Sequence, residues 1–177
     1  MSEEAPDTTS QLIERIKNGE HSAFNEFFKT HYPEIYGFVY RSTFNKMISE
    51  EIAQETFVNF WEAREKLSPD SFPKAYLFRI SKNLLINSFE RTKKMYSLYD
   101  GQFDNTLQDE GLNENLIEQD LKKAILELPE RCRLIFILNR YHNFRYSEIA
   151  QMLDISVQTV KNQMSKSIKI LRDYLNS

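Results

Sequence analysis

Residues 146–172 read YSEIAQMLDISVQTVKNQMSKSIKILR. Tyr146 to Leu153 supply about two turns of helix; Asp154-Ile155-Ser156 then interrupts the pattern, with Ser156 placed to cap the next helix. From there Val157, Val160, Met164, Ile168 and Leu171 recur at helical spacing and fall on one narrow arc. The opposite face carries Gln158, Thr159, Asn162, Ser165, Lys166 and Lys169. Amides, hydroxyls and ammonium groups of this kind hydrogen-bond base edges and phosphates, whereas a simple solvated face is dominated by Glu and Lys. A short helix, a three-residue turn and a longer helix with a basic, amide-rich face make a helix-turn-helix, for which a plain helical hairpin is the competing reading.

Upstream, helical segments are expected at about 115–127 and 130–142, with breaks at Leu128-Pro129 and Asn143. Residues 96–115 hold Gly101, Gly111 and five acids with no base, and read as a flexible acidic linker. Before it, Pro73 starts a long helix running to about Lys94, preceded by a loop at Ser68-Pro69-Asp70-Ser71. Ser49 is expected to cap another helix, with Glu50 and Glu51 in its first turn. A helix from near Ser22 carries Phe24, Phe27, Phe28 and Tyr32, and Pro33 is expected to break or kink it before Ile35, Phe38 and Val39. Ser10 would cap a short first helix that Asn18-Gly19 ends. Four Gly and five Pro in 177 residues favour long helices and leave too few turns for a sandwich or barrel. The fold class is therefore all-α: two small helical domains, residues 11–95 and 116–177, joined by the linker 96–115 and preceded by a disordered acidic N-terminus, residues 1–10.

The hydrophobic fraction of 41%, with 13 Phe and 9 Tyr, is enough for two compact cores. The longest run without a polar residue is Ile35 to Tyr40, far short of the ~20 residues that span a bilayer, and a cytoplasmic protein is expected. One cysteine, Cys132, and scattered His21, His31 and His142 offer neither a disulfide nor a zinc spacing. No paired carboxylates, nucleophile with base, or glycine-rich phosphate loop is present, so no enzyme, cofactor or small-molecule substrate is expected. The net charge of -3 hides two basic patches, Arg79 to Lys94 and Arg131 to the C-terminus, separated by the acidic linker. Such a layout suits a polyanion held at two places, and equally two ordinary solvated faces.

Two upstream segments also resolve into faces. In residues 77–94, Leu77, Phe78, Ile80, Leu84, Leu85 and Phe89 are apolar, while Arg79, Lys82, Asn83, Asn87, Lys93 and Lys94 lie opposite. Phe72, Tyr76 and Phe78 could stack an unpaired base or serve as core. In residues 49–64, Ala53, Thr56, Phe57, Phe60 and Trp61 lie inward, and Glu51, Gln54, Glu55, Val58 and Glu62 lie outward. That acidic stripe would repel DNA and is either solvated or a docking face for a basic protein.

Three blocks, in order, resemble the extracytoplasmic function (ECF) group of sigma-70 family sigma factors. Residues 51–61, EIAQETFVNFW, are similar to conserved region 2.2, and residues 73–83, PKAYLFRISKN, to regions 2.3 and 2.4. LPERCR (128–133), YSEIA (146–150) and ISVQTVK (155–161) are similar to region 4. The resemblance implies that residues 11–95 form a region 2 domain and 116–177 a region 4 domain. It places Glu51, Gln54, Glu55, Val58 and Glu62 against the β′ clamp of core RNA polymerase, with the β subunit also a partner. Residues 68–76 correspond to a loop receiving a flipped base of the −10 element; Tyr76, Arg79, Lys82, Asn83, Asn87 and Arg91 would hold the melted strand. Gln158, Thr159, Lys161, Asn162, Gln163, Ser165 and Lys166 would read the −35 element. An anti-sigma factor, often membrane-bound in the family, is implied as a further partner.

Three departures from the family pattern stand out. Asp154 occupies a turn position that is frequently Gly, Gln163 one that is frequently Arg, and Arg145 one that is frequently Ser or Thr. The alternative function is a stand-alone helix-turn-helix regulator that binds duplex operator DNA. Dependence on core polymerase separates the two.

Overall fold

The computed structural model describes residues 9–67, 72–98 and 116–176, and among these every regular element is helical. In chain order they are α1 (Thr9–Lys17), α2 (His21–Thr43), α3 (Lys46–Glu62), a one-turn 3₁₀ helix (Arg64–Lys66), α4 (Pro73–Leu98), α5 (Leu116–Glu127), α6 (Glu130–Arg140), α7 (Tyr146–Leu153) and α8 (Val157–Leu175). The loop expected at Ser68–Ser71, most of the expected linker and residues 1–8 lie outside the described residues.

Local chemistry accounts for the ends. Gly19, at φ +83°, closes α1 in a Schellman motif: its N–H reaches the Ile16 carbonyl at 2.9 Å and the Glu20 N–H the Arg15 carbonyl at 3.0 Å. Ser10 lies inside α1, which begins at Thr9, so part of the expected disordered N-terminus is helical. Pro33 neither breaks nor ends α2, which runs unbroken through it. Its missing donor costs one backbone bond, and burial of Phe27 before it and Ile35 and Phe38 after it in the same core offsets that loss. The cap of α3 is Asn45, whose side chain accepts from Ile48 N–H at 3.0 Å, and not Ser49. Ser49 is fully buried and donates to the Asn45 carbonyl, and the first turn holds no acid. Pro73 opens α4 as expected, but the helix continues four residues past Lys94.

Two lobes result. Helices α1–α4 bury Phe27, Phe38, Phe60, Leu77, Phe78 and Leu85; Phe27 stacks on Phe60 at 4.8 Å between centroids. Helices α5–α8 bury Ile125, Leu128, Ile135, Ile137, Ile149, Val160 and Met164. Full burial of each such side chain is worth about 1.5–3 kcal/mol. The lobes touch: α5 and α6 pack on α2, and α7 packs on α4. Arg133 of α6 ties them, donating to the Ser42 carbonyl at 2.9 Å and to the Leu126 and Leu128 carbonyls at 2.5 and 3.1 Å. One guanidinium thus satisfies orphan carbonyls at the ends of both α5 and α2.

Candidate nucleic-acid interface and docking surface

On α3 the fully buried residues Ala53, Thr56 and Phe60 and the nearly buried Ile52 and Phe57 turn toward α2 and α4. Thr56 satisfies its hydroxyl on the Ile52 carbonyl at 2.7 Å. Glu51, Gln54, Glu55, Val58 and Glu62 are all exposed, so the five predicted docking residues share one open face. Val58 is 54% exposed, an isolated aliphatic side chain among acids.

Beside it lies an apolar groove of about 350 Å³, lined by Phe24, Phe28, Gln54, Phe57, Val58, Trp61 and Glu62. Trp61 forms one wall, with His21 stacked on it at 4.8 Å and the Arg64 guanidinium 4.5 Å from its centroid. The sequence reading missed Phe24 and Phe28 and placed Trp61 wholly inside, whereas Phe57 is inward as expected, at 2% exposure. Phe24, Phe28 and Trp61 are half-buried because α1 and α2 leave one side of α3 uncovered. The signal available was the Phe24–Phe28 pair one turn apart, facing an acidic stripe instead of a second apolar helix.

On α4, Arg79, Asn83, Asn87 and Arg91 are exposed and recur every four residues, forming a straight polar row. Tyr76 sits at the head of the row, under the Arg79 guanidinium at 5.0 Å and against Phe60 at 6.0 Å. Lys82 departs from the row and is half-buried. Burial and the neighbouring Arg79 hold its amine below the ordinary lysine value, while Asp154 across the lobe boundary acts the other way. Phe78 is 1% exposed and is core, not a stacking ring; Phe72, at 80%, is open.

The helix-turn-helix is formed as expected. Asp154 adopts the left-handed conformation, φ 52°, at the end of α7, and Ser156 caps α8 by accepting from Thr159 N–H at 3.0 Å. Arg145 has no hydroxyl to cap α7, and Glu148 takes over by accepting from the Arg145 N–H at 2.6 Å. Gln158, Lys161, Asn162, Ser165 and Lys166 are exposed together, with Gln158 donating to Asn162 at 2.9 Å. Two predicted reading residues differ. Thr159 is half-buried with its hydroxyl 2.8 Å from that of Ser156, and the Gln163 side-chain oxygen Oε1 accepts from the Cys132 thiol at 2.9 Å. Gln163 therefore braces α8 against α6. Val157, expected inside, is 40% exposed because it begins the helix beyond the edge of α7.

An exposed polar row on one lobe, a helix-turn-helix on the other and an acidic face beside an apolar groove are thus held in one chain. Family models agree in both lobes: "Sigma-70 region 2" matches residues 27–95 and "Sigma-70, region 4" matches residues 118–171. The chain is a sigma-70 family sigma factor of the ECF type. It is similar to the ECF RNA polymerase sigma factor SigW of Bacillus subtilis, at 25% identity over 92% of this chain and 94% of that one. It is also similar to the RNA polymerase sigma-H factor of Pseudomonas aeruginosa, at 25% identity over 89% and 88%. The fold is shared with the sigma factor RpoE from Bartonella quintana, solved in complex with the anti-sigma factor NepR. That match has a TM-score of 0.76 at 23% identity and covers 86% of this sigma factor and 96% of that chain. Among the described residues no helix is long and apolar enough to cross a membrane, and no cluster of metal ligands occurs.

Proposed function

We propose that this sigma factor docks on core RNA polymerase through the acidic face of α3, holds the melted −10 strand on α4 and reads the −35 element with α8. The observation that carries the docking assignment is the coincidence of Val58, four polar neighbours and the apolar groove on one open surface. Acidic side chains draw in a basic clamp surface, and the groove accepts an apolar side chain from it. The exposed row Arg79, Asn83, Asn87 and Arg91 offers cations to phosphates and two amides to unpaired base edges. Preferential binding of the open strands shifts the melting equilibrium without ATP or covalent chemistry. On α8, Gln158, Asn162 and Ser165 present base-reading groups between Lys161 and Lys166, while Gln163 and Thr159 position the helix. An anti-sigma factor is the remaining partner, in line with the anti-sigma complex of the RpoE relative.

Run-off transcription from a promoter library tests this function, with core polymerase and the sigma factor added singly and together. Start sites that need both components support it. Discrete duplex sites bound by the protein alone, with no core-dependent transcript, would favour a stand-alone regulator.

A further inference from the structure

What α8 offers to solvent is fixed by what holds it from behind. Val160 and Met164 are buried against the rest of the lobe, and the buried Ser167 hydroxyl donates to the Gln163 carbonyl at 2.8 Å and lies 3.3 Å from that of Cys132. Packing on α6 and α7 therefore sets the rotation of the helix about its own axis. The turn before it is equally determined. Asp154 leaves α7 in the left-handed conformation, the Ile155 N–H returns to the Ala150 carbonyl at 3.0 Å, and the Ser156 side chain is engaged by Thr159 as the cap.

Val157 follows at the head of α8, and it is 40% exposed. On the helical wheel it lies about 20° from Met164, seven residues on, so its exposure comes from its place at the helix end and not from its angle. Every Cα–Cβ bond of an α-helix tilts toward the N-terminus. The side chain of a first residue thus projects past the end of the helix, where no earlier turn lies beneath it. In a helix-turn-helix that end enters the major groove, and the first residues of the second helix meet base edges. From 157 to 166 every other exposed residue of α8 is polar. Val157 is the one exposed residue in that stretch that can neither donate nor accept a hydrogen bond.

An isopropyl group recognises only an apolar surface. The major-groove edges of the four base pairs present one such group, the C5 methyl of thymine. Placed against an amino group, a ring nitrogen or a carbonyl, Val157 would strip water from a polar atom and return no partner. Attraction to one base and a penalty on the others act in the same direction.

We propose that Val157 is a specificity-determining residue of this sigma factor, selecting one thymine of the −35 element by packing its isopropyl group on the C5 methyl. The inference rests on the assignment of α8 to the −35 element, and it adds a base preference that the polar residues of the helix do not supply. Removing one methyl from water is worth about fourfold in affinity, or about 0.8 kcal/mol.

The test uses holoenzyme assembled with the wild-type chain, Val157→Ala or Val157→Ser, on a promoter selected by the run-off assay. Both substitutions remove the two methyls of Val157, and if circular dichroism shows one variant unfolded the other decides. Each thymine of the −35 element, on either strand, is replaced singly by deoxyuridine, which loses the methyl and keeps its base pairing. Competition anisotropy reads the affinities. At one position the replacement should weaken wild-type binding about fourfold and leave both variants unchanged, and at all other positions the three proteins should respond alike. Equal responses of wild type and variants at every thymine, or a selected element without an A·T pair, would overturn the Val157 contact. Base-pair changes across the −35 element separate this failure from that of α8 as reader. Changes that alter wild-type binding and are blunted in Gln158→Ala/Asn162→Ala leave the reading helix standing without Val157. Changes to which the holoenzyme is indifferent would overturn both.

Discussion

Acidification from pH 7 to 5 should loosen this sigma factor through His142. The ring is wedged among Phe38 and Phe78, and its Nε2 is buried without a hydrogen-bond partner. Burial first, and then Arg41, push its pKa from 6.5 down to about 4, with Lys74 adding and Glu34 opposing. Above pH 6.5 the imidazole is neutral both folded and unfolded, and nothing is lost. Between 6.5 and 4 the unfolded chain takes up a proton that the folded chain excludes, so stability falls as pH falls. Linkage with these two values gives at most about 2 kcal/mol by pH 5, and halving for the ring's remaining contact with solvent leaves about 1 kcal/mol. For a chain of this size that is a fall in Tm of about 2–4 °C. Glu34 does not obscure the window. Burial raises its carboxyl, but hydrogen bonds from Lys74 and His31 outweigh that and hold it below 4.5. Thermal unfolding of wild type and His142→Phe at pH 7, 6 and 5 decides the matter. The wild type should lose stability and the variant should lose about 1 kcal/mol less. Equal losses in both proteins would refute the assignment to His142.

Arg133→Met should cost about 3 kcal/mol, because three carbonyls lose a charge-assisted donor while relief of the buried guanidinium returns part of it. Urea unfolding checks this, and a change below about 0.5 kcal/mol would contradict the bracing role. Val58→Glu should weaken core polymerase binding at least about tenfold with unchanged helix content, since it places a charge at the mouth of the groove; surface-capture titration reads it. Replacing Lys161 and Lys166 with Ala should lower the slope of log affinity against log salt by about 2 for holoenzyme on promoter DNA, and Gln163→Ala should leave that slope unchanged.

Most of the fold was legible because helical periodicity and breakers are local. The α7 and α8 boundaries, the Ser156 cap and the Pro73 start required only neighbouring residues. Pro33 and Ser49 misled for the same reason. Pro33 signals a break locally, but packing of Phe27, Ile35 and Phe38 into one core carries the helix through. Ser49 is a good cap in isolation, but Asn45 starts the helix a turn earlier and leaves Ser49 buried. The exposed faces of α3, α4 and α8 could be drawn on a wheel. What no wheel shows is which polar residue finds a partner across the fold. Gln163, for example, meets Cys132, 31 residues away. The lobe seam had no local signature at all: Arg133 and Ser42 are 91 residues apart, and His142 and Phe144 look like an ordinary loop until Phe78 is placed against them.

The most direct measurement is permanganate footprinting of a promoter selected by the run-off assay, with the sigma factor, core polymerase and both together. Reactive thymines across the −10 element should appear only with both components present, and should fade when Asn83 and Asn87 are replaced by Ala in a protein that still binds core. Strand opening by the sigma factor alone, or opening by the holoenzyme that is indifferent to Asn83 and Asn87, would contradict the proposed mechanism.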